Sequence, residues 1–96
     1  MRLRLTQRAD KQLENIDRFL RREASDRVAD QIAHAFDEAF SLLLEVPTMG
    51  KPSSLVPGMR ERIVSSYRIF YEPHPKELVI LRIYHQRRDI TPDSFR

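Results

Sequence analysis

The chain contains no cysteine. That excludes disulfides, thiolate metal sites and a cysteine nucleophile, and it fits a reducing compartment. Glycine is almost as scarce, with two residues in 96. Gly50 and Gly58 stand alone in a proline-rich stretch, so no phosphate-cradling loop is expected. Of the three histidines, His34 falls in a helix-patterned segment, His74 in a Pro-His-Pro turn and His85 at the end of an apolar run. None has a partner at ligand spacing, and no metal site is expected. Apolar runs reach about four residues, far below the ~20 that span a bilayer. The opening stretch MRLRLTQRADKQ is charged throughout and lacks the apolar core of a secretory signal. A soluble cytoplasmic protein without a membrane partner is the expectation.

A chain of 96 residues suits one domain spanning 1–96. A domain this small buries only about 60–65% of the surface its unfolded chain exposes. No bound cofactor is expected, and a surface site is more plausible than a deep pocket. Residues 1–48 hold eight Lys/Arg and nine Asp/Glu, a net of −1, whereas residues 49–96 hold nine and five, a net of +4. The C-terminal half is therefore the one that should meet an anionic partner. Fourteen of the seventeen cations are arginine, which forks onto phosphate or carboxylate where lysine offers a point charge.

Arg2-Leu3-Arg4-Leu5-Thr6 alternates strictly and predicts a short strand. Ala9, Leu13, Ile16, Phe19 and Leu20 recur at helical spacing over 7–22, with Asp10, Glu14 and Asp17 on a solvated opposite face. Ser25 is the expected N-cap of a second, longer helix. Its apolar ladder runs from Val28 to Leu44 and stops before Pro47. Residues 45–58 carry three prolines and two glycines and read as a surface loop. The period then changes from 3.6 to 2. Strands are predicted over 60–65, 67–72 and 77–85, with tight links near Ser65-Ser66 and Pro73–Lys76, so these three should be antiparallel neighbours. Residues 86–96 read as a polar, partly mobile tail. The fold class is α+β: an N-terminal strand, then a helix hairpin packed on one face of a small antiparallel sheet.

Alternation sorts the strands into faces. It puts Val79, Leu81 and Ile83 on one side of the last strand and Arg82 and Tyr84 on the other. With the helices on the fully apolar face, the reverse would gather Arg60, Arg62, Arg68 and Arg82 into a phosphate- or carboxylate-binding patch. Alternatively these arginines pair with Glu61 and Glu72 as ordinary surface charge. His85, beside Tyr84 and before Arg87-Arg88-Asp89, is either a general acid or base or a strand-end residue that orders the tail. Tyr67 and Tyr71 suit base stacking or, more commonly in a small sheet, the core.

Taken in order, these segments form a series. An alternating strand leads to a helix pair opened by Ala9-Asp10 and closed by Leu43-Leu44. Pro47-x-x-Gly50, Gly58-x-Arg60 and Tyr67-Arg68-Ile69-x-Tyr71 follow, and an apolar strand ends in His85-x-Arg87-Arg88-Asp89. The series resembles the ParE branch of the ParE/RelE toxin superfamily of type II toxin–antitoxin systems over about residues 1–90. The resemblance implies a toxin neutralised by a ParD-like or other antitoxin, with operator DNA contacted only through that antitoxin. ParE-type relatives poison DNA gyrase, which implies Arg60, Arg62, Arg68, Arg82, Arg87, Arg88 and Tyr71 as target-binding residues. RelE-type relatives cleave mRNA on the ribosome. On that alternative the resemblance implies His85, Arg60, Arg68 and Tyr84 as catalytic candidates, with Glu72 or Glu45 as base. A third alternative is a non-toxic antitoxin-binding module.

Overall fold

The computed structural model describes residues 1–96. Strand β1 (Arg2–Leu5) leads into helices α1 (Gln7–Glu23) and α2 (Asp26–Glu45). Strands β2 (Lys51–Pro52), β3 (Arg60–Val64), β4 (Tyr67–Pro73) and β5 (Glu77–His85) follow, and a short 3-10 helix occupies Pro92–Phe95. Each helix starts at a hydroxyl cap. The Thr6 side chain accepts from Ala9 N at 3.1 Å, and Ser25 accepts from Val28 N at 3.1 Å, as expected. Thr6 also donates to Leu81 O at 2.8 Å, which ties the start of α1 to β5. At the hairpin bend, the Arg21 guanidinium bridges Asp17 of its own helix and Asp26 and Asp30 of α2. Those carboxylates, Asp17 first, hold its pKa above the ordinary arginine value.

The sheet has the order β1-β5-β4-β3-β2. The three predicted C-terminal strands are antiparallel neighbours, but β1 joins β5 in parallel, so the sheet is mixed. Two residues of the proline-rich loop add a fifth strand beside β3. The helices cover one face. Phe36, Ala39, Phe40 and Leu43 of α2 pack there on Tyr67, Ile69, Tyr71, Leu78, Ile80 and Ile83.

The assignment of faces in β5 needs correction. Phe70 pairs with Arg82 and Tyr71 with Ile80, so Leu81 has no partner and forms a β-bulge. An extra residue reverses the alternation beyond it. Leu78 and Ile80 therefore share the helix face with Ile83, where strict alternation puts Val79 and Leu81.

The reverse face is also covered. Met59, Phe70 and Tyr84 form a second cluster, packed by Leu55, Val56, Ile90 and Phe95. The C-terminal segment, expected as a partly mobile tail, lies across this face. The Phe95 ring meets Phe70 edge-on at 4.9 Å, and the Tyr84 hydroxyl donates to Ser94 O. Two apolar side chains, Ile90 and Phe95, in an otherwise polar stretch supply the anchor.

Candidate functional site

The four sheet arginines do not form one patch. Arg60 pairs with Tyr71 and Arg62 with Ile69, so both share the helix face. Arg68 pairs with Ile63 and Tyr84, and Arg82 with Phe70, on the reverse. Neighbouring strands place paired residues on the same face, so the expected cluster splits two and two. The two-residue turn at Ser65-Ser66 dictates this outcome, because it makes Val64 face Tyr67 and Arg62 face Ile69.

Most of these arginines have partners within the chain. Arg60 Nη1 donates to Gly50 O at 2.6 Å and to Thr48 O at 3.3 Å. The buried Tyr71 hydroxyl donates to Pro47 O at 2.7 Å and accepts from Gly50 N at 2.9 Å. Together they pin the 47–50 segment to the sheet. Gly50 is required there, since a Cβ would lie 2.6 Å from the Tyr71 oxygen and 2.7 Å from Glu61 O. Burial pushes the Tyr71 phenol above its ordinary value, and the Gly50 bond, Arg60 and Arg62 only partly offset it. Arg68 Nη2 lies 2.6 Å from the mostly buried carboxylate of Glu61, which also meets Lys51 at 3.4 Å. Arg82 donates to Leu81 O at 2.7 Å and Phe95 O at 3.4 Å, while its buried Nε has no partner.

His85 stands apart from Arg68 and Arg82, on the helix side at the end of β5, where it pairs with Tyr67. Its ring meets Tyr67 edge-on at 5.5 Å. Its Nδ1 accepts from Arg87 N at 3.1 Å, which caps the chain as it leaves the strand. Arg88 stacks over the Tyr84 ring at 4.4 Å. The Tyr84 hydroxyl is occupied by Ser94 O. Glu72 lies on the reverse face near the other end of β4, beside His74. Five residues of strand separate it from the level of His85, roughly 16 Å at the usual rise. Glu45 ends α2. The acid–base candidates therefore do not converge on one reacting position.

What does come together is a corner between α1 and the end of β5. Phe19, Tyr67, Ile83, His85 and Arg88 line a shallow cleft there of about 420 Å³. The exposed Arg87 adjoins it in sequence. Gln12 fixes the walls, since its Oε1 accepts from Ile83 N at 2.7 Å. Phe19 is 51% exposed, although its spacing puts it in the apolar stripe of α1. The spacing predicts a core position for it, and the flanking Arg18, Arg21 and Arg22 are the local sign of an edge.

The ParE toxin model, described as the ParE toxin of the type II toxin–antitoxin system parDE, matches residues 3–90. No curated protein matches. Among solved structures, the chain is similar to one from the chromosomal ParDE toxin–antitoxin system of P. aeruginosa, with 26% identity and a TM-score of 0.78 over 88% of this chain and 95% of that one. It is also similar to a chain of the RelBE2 toxin–antitoxin complex of Mycobacterium tuberculosis, at 25% identity and a TM-score of 0.63, over 88% and 95% of the two chains. A family match over nearly the whole length, on a fold shared with both complexes, leads to one conclusion: the chain belongs to the ParE family of toxins of type II toxin–antitoxin systems.

Proposed function

We propose that this chain arrests bacterial growth by binding DNA gyrase in the cytoplasm, without hydrolytic chemistry of its own, and that a ParD-like antitoxin blocks it. Operator DNA would be reached only through that antitoxin. The observation that carries the reading is the dispersal of the acid–base candidates. Cleavage by a ribose 2′-hydroxyl needs a base, an acid and cations around one phosphate. Here Arg60 is spent on loop carbonyls, Tyr84 on Ser94 and Arg68 on Glu61, and His85 lies on the face opposite Arg68 and Tyr84. The exposed corner of Phe19, Arg87 and Arg88 remains as a contact surface, with His85 holding the chain that carries the two arginines. It combines an aromatic anchor with guanidinium groups, a composition favoured where proteins bind.

Purified gyrase provides the test. Micromolar protein is expected to inhibit supercoiling and accumulate cleaved DNA, with Arg87→Ala/Arg88→Ala about tenfold weaker and His85→Ala still active. Inhibition that is absent, together with mRNA cut in ribosome complexes and lost in His85→Ala, would establish the endonuclease reading instead. Overexpression without growth arrest would leave only an antitoxin-binding module.

A further inference from the structure

The outer edge of β5 is only partly covered. Strand β1 ends at Leu5, level with Ile80, while β5 runs on to His85. Past Ile80 the side chains of Thr6 and Gln12 take the place of a strand. Thr6 Oγ1 donates to Leu81 O at 2.8 Å, and Gln12 Oε1 accepts from Ile83 N at 2.7 Å. Gln86 N donates to Ser66 O at 2.8 Å, which fixes the phase of the ladder with β4. Tyr84 therefore turns its main-chain groups toward β4, and Ile83 and His85 turn theirs outward. His85 O accepts from Arg88 N at 3.0 Å. The Ile83 carbonyl and the His85 amide are left with no strand beside them. In a parallel ladder such a pair bonds one residue of the neighbouring strand, which donates its N–H to the first and offers its C=O to the second. This unfilled step opens on the corner cleft, whose walls include Ile83 and His85.

The surroundings of that step select an occupant. No carboxylate lines the cleft. Arg88 stacks over Tyr84 at 4.4 Å, Arg22 lies 6.0 Å from the Phe19 ring, and Arg87 is exposed. This charge favours an acidic partner. An open strand edge suits a peptide, which brings a main-chain donor and acceptor, better than a nucleic acid. Paired residues share a face, so a residue level with Tyr84 carries its side chain to the Arg88 side, and its neighbours carry theirs to the Phe19 side. We propose that the corner binds a short extended segment of the target protein in which an aspartate or glutamate stands between apolar residues. The acidic residue fills the open step on Ile83 O and His85 N and meets Arg87 and Arg88, while its apolar neighbours cover Phe19. The proposal rests on the reading that the chain acts by binding a protein rather than by cutting RNA.

The test uses the isotope-labelled full chain and a short capped peptide with one glutamate between two leucines. Without peptide, the His85 amide should exchange with solvent faster than that of Ile83, which Gln12 holds. The peptide is expected to move the signals of both and to slow exchange at His85. Methylating the glutamate nitrogen removes the donor to Ile83 O and should weaken binding about tenfold, the size of one lost hydrogen bond. Lysine in place of the glutamate should weaken it at least as much. Equal binding of the methylated or the lysine peptide would overturn the proposal, as would shifts mapping away from the corner. A single-stranded RNA oligonucleotide that moves the same amides at lower concentration would assign the corner to phosphate and overturn it. Concentration-dependent shifts there without peptide would assign it to a second copy of the chain, with the same result. Supercoiling is measured separately. Gyrase inhibition without peptide binding refutes the open step alone, and peptide binding without inhibition refutes the gyrase reading alone.

Discussion

Removing the Tyr71 hydroxyl tests whether the 47–50 segment is held as described. Tyr71 is fully buried, and its oxygen bonds Pro47 O at 2.7 Å and Gly50 N at 2.9 Å. Tyr71→Phe keeps the ring and leaves two backbone groups without their partner. An unmet buried polar group costs about 1–3 kcal/mol. Arg60 still grips Gly50 O, so the segment stays near its place and water reaches it only partly. A loss of about 2–3 kcal/mol follows. For a domain of this length each kcal/mol moves Tm by about 4–8 °C, so Tm should fall by roughly 10–20 °C. Circular dichroism during heating and urea titration measures both quantities, and exchange of the Gly50 amide reports the local release. The alkaline limb gives an independent readout. Burial raises the Tyr71 and Tyr67 phenols above their ordinary value, so folding favours the protonated form. Stability from these groups is fully present below the unfolded value of about 10. It is lost as pH rises through the folded values. In Tyr71→Phe the decline above about pH 10 should be shallower, with Tyr67 still contributing. A loss below about 0.5 kcal/mol with an unchanged alkaline limb would refute the account of the clip.

Other substitutions probe the remaining contacts. Phe95→Ala should cost about 1–2 kcal/mol, less than a fully buried phenylalanine, and should raise exchange of amides on the reverse face of β4; urea titration measures it, and no change would mean the C-terminal segment is not seated. Glu61→Gln leaves Arg68 beside a neutral group in a mostly buried site, and a loss of about 1–3 kcal/mol is expected, again by urea titration. Ser65 adopts a φ of 55°, so Ser65→Val should lose about 1–2 kcal/mol because a branched side chain is strained there. Arg4, through its hydrogen bond and charge, holds the Glu77 carboxyl below its ordinary range. Stability from this pair is present above the unfolded value of about 4.3 and is lost as pH falls through the lower folded one. Acid unfolding of Arg4→Gln should show a weaker pH dependence in that window.

Both helices could be read from their sequence because a 3.6-residue stripe and a hydroxyl cap are local signals. Ser25 and the stop before Pro47 fall where the spacing puts them. The three C-terminal strands were equally legible. The faces of β5 were not, because the bulge at Leu81 depends on the neighbouring strand rather than on β5 itself. One residue of slip carries Leu78 and Ile80 to the opposite side. The arginine patch is lost for a separate reason, the pairing of β3 with β4, which puts Arg60 and Arg62 on the helix face and leaves Arg68 and Arg82 on the reverse. The link between β1 and β5 joins residues about 75 positions apart, Arg2 with Glu77, and no local pattern encodes it. At the candidate site, His85, Arg87 and Arg88 were recognisable by residue type, but Phe19 and Gln12 become neighbours of β5 only through helix packing. Glu14 and Asp17 read as solvated from their spacing, and their place on the wall of an apolar cleft between α1 and α2 emerges only when the second helix is set beside the first.

The position of β5 has a consequence for how this protein comes into being. Strand β5 is made after the other four strands, yet it is interior in the sheet, with β1 on one side and β4 on the other. Until residues 77–80 are available β1 has no neighbour, and the helix hairpin has only part of the surface it is shaped to cover. Closing so long a loop comes late and slowly. A translation product truncated before β5 would therefore lack the finished fold, because the first strand and the helices that follow it wait on residues some 75 positions further along.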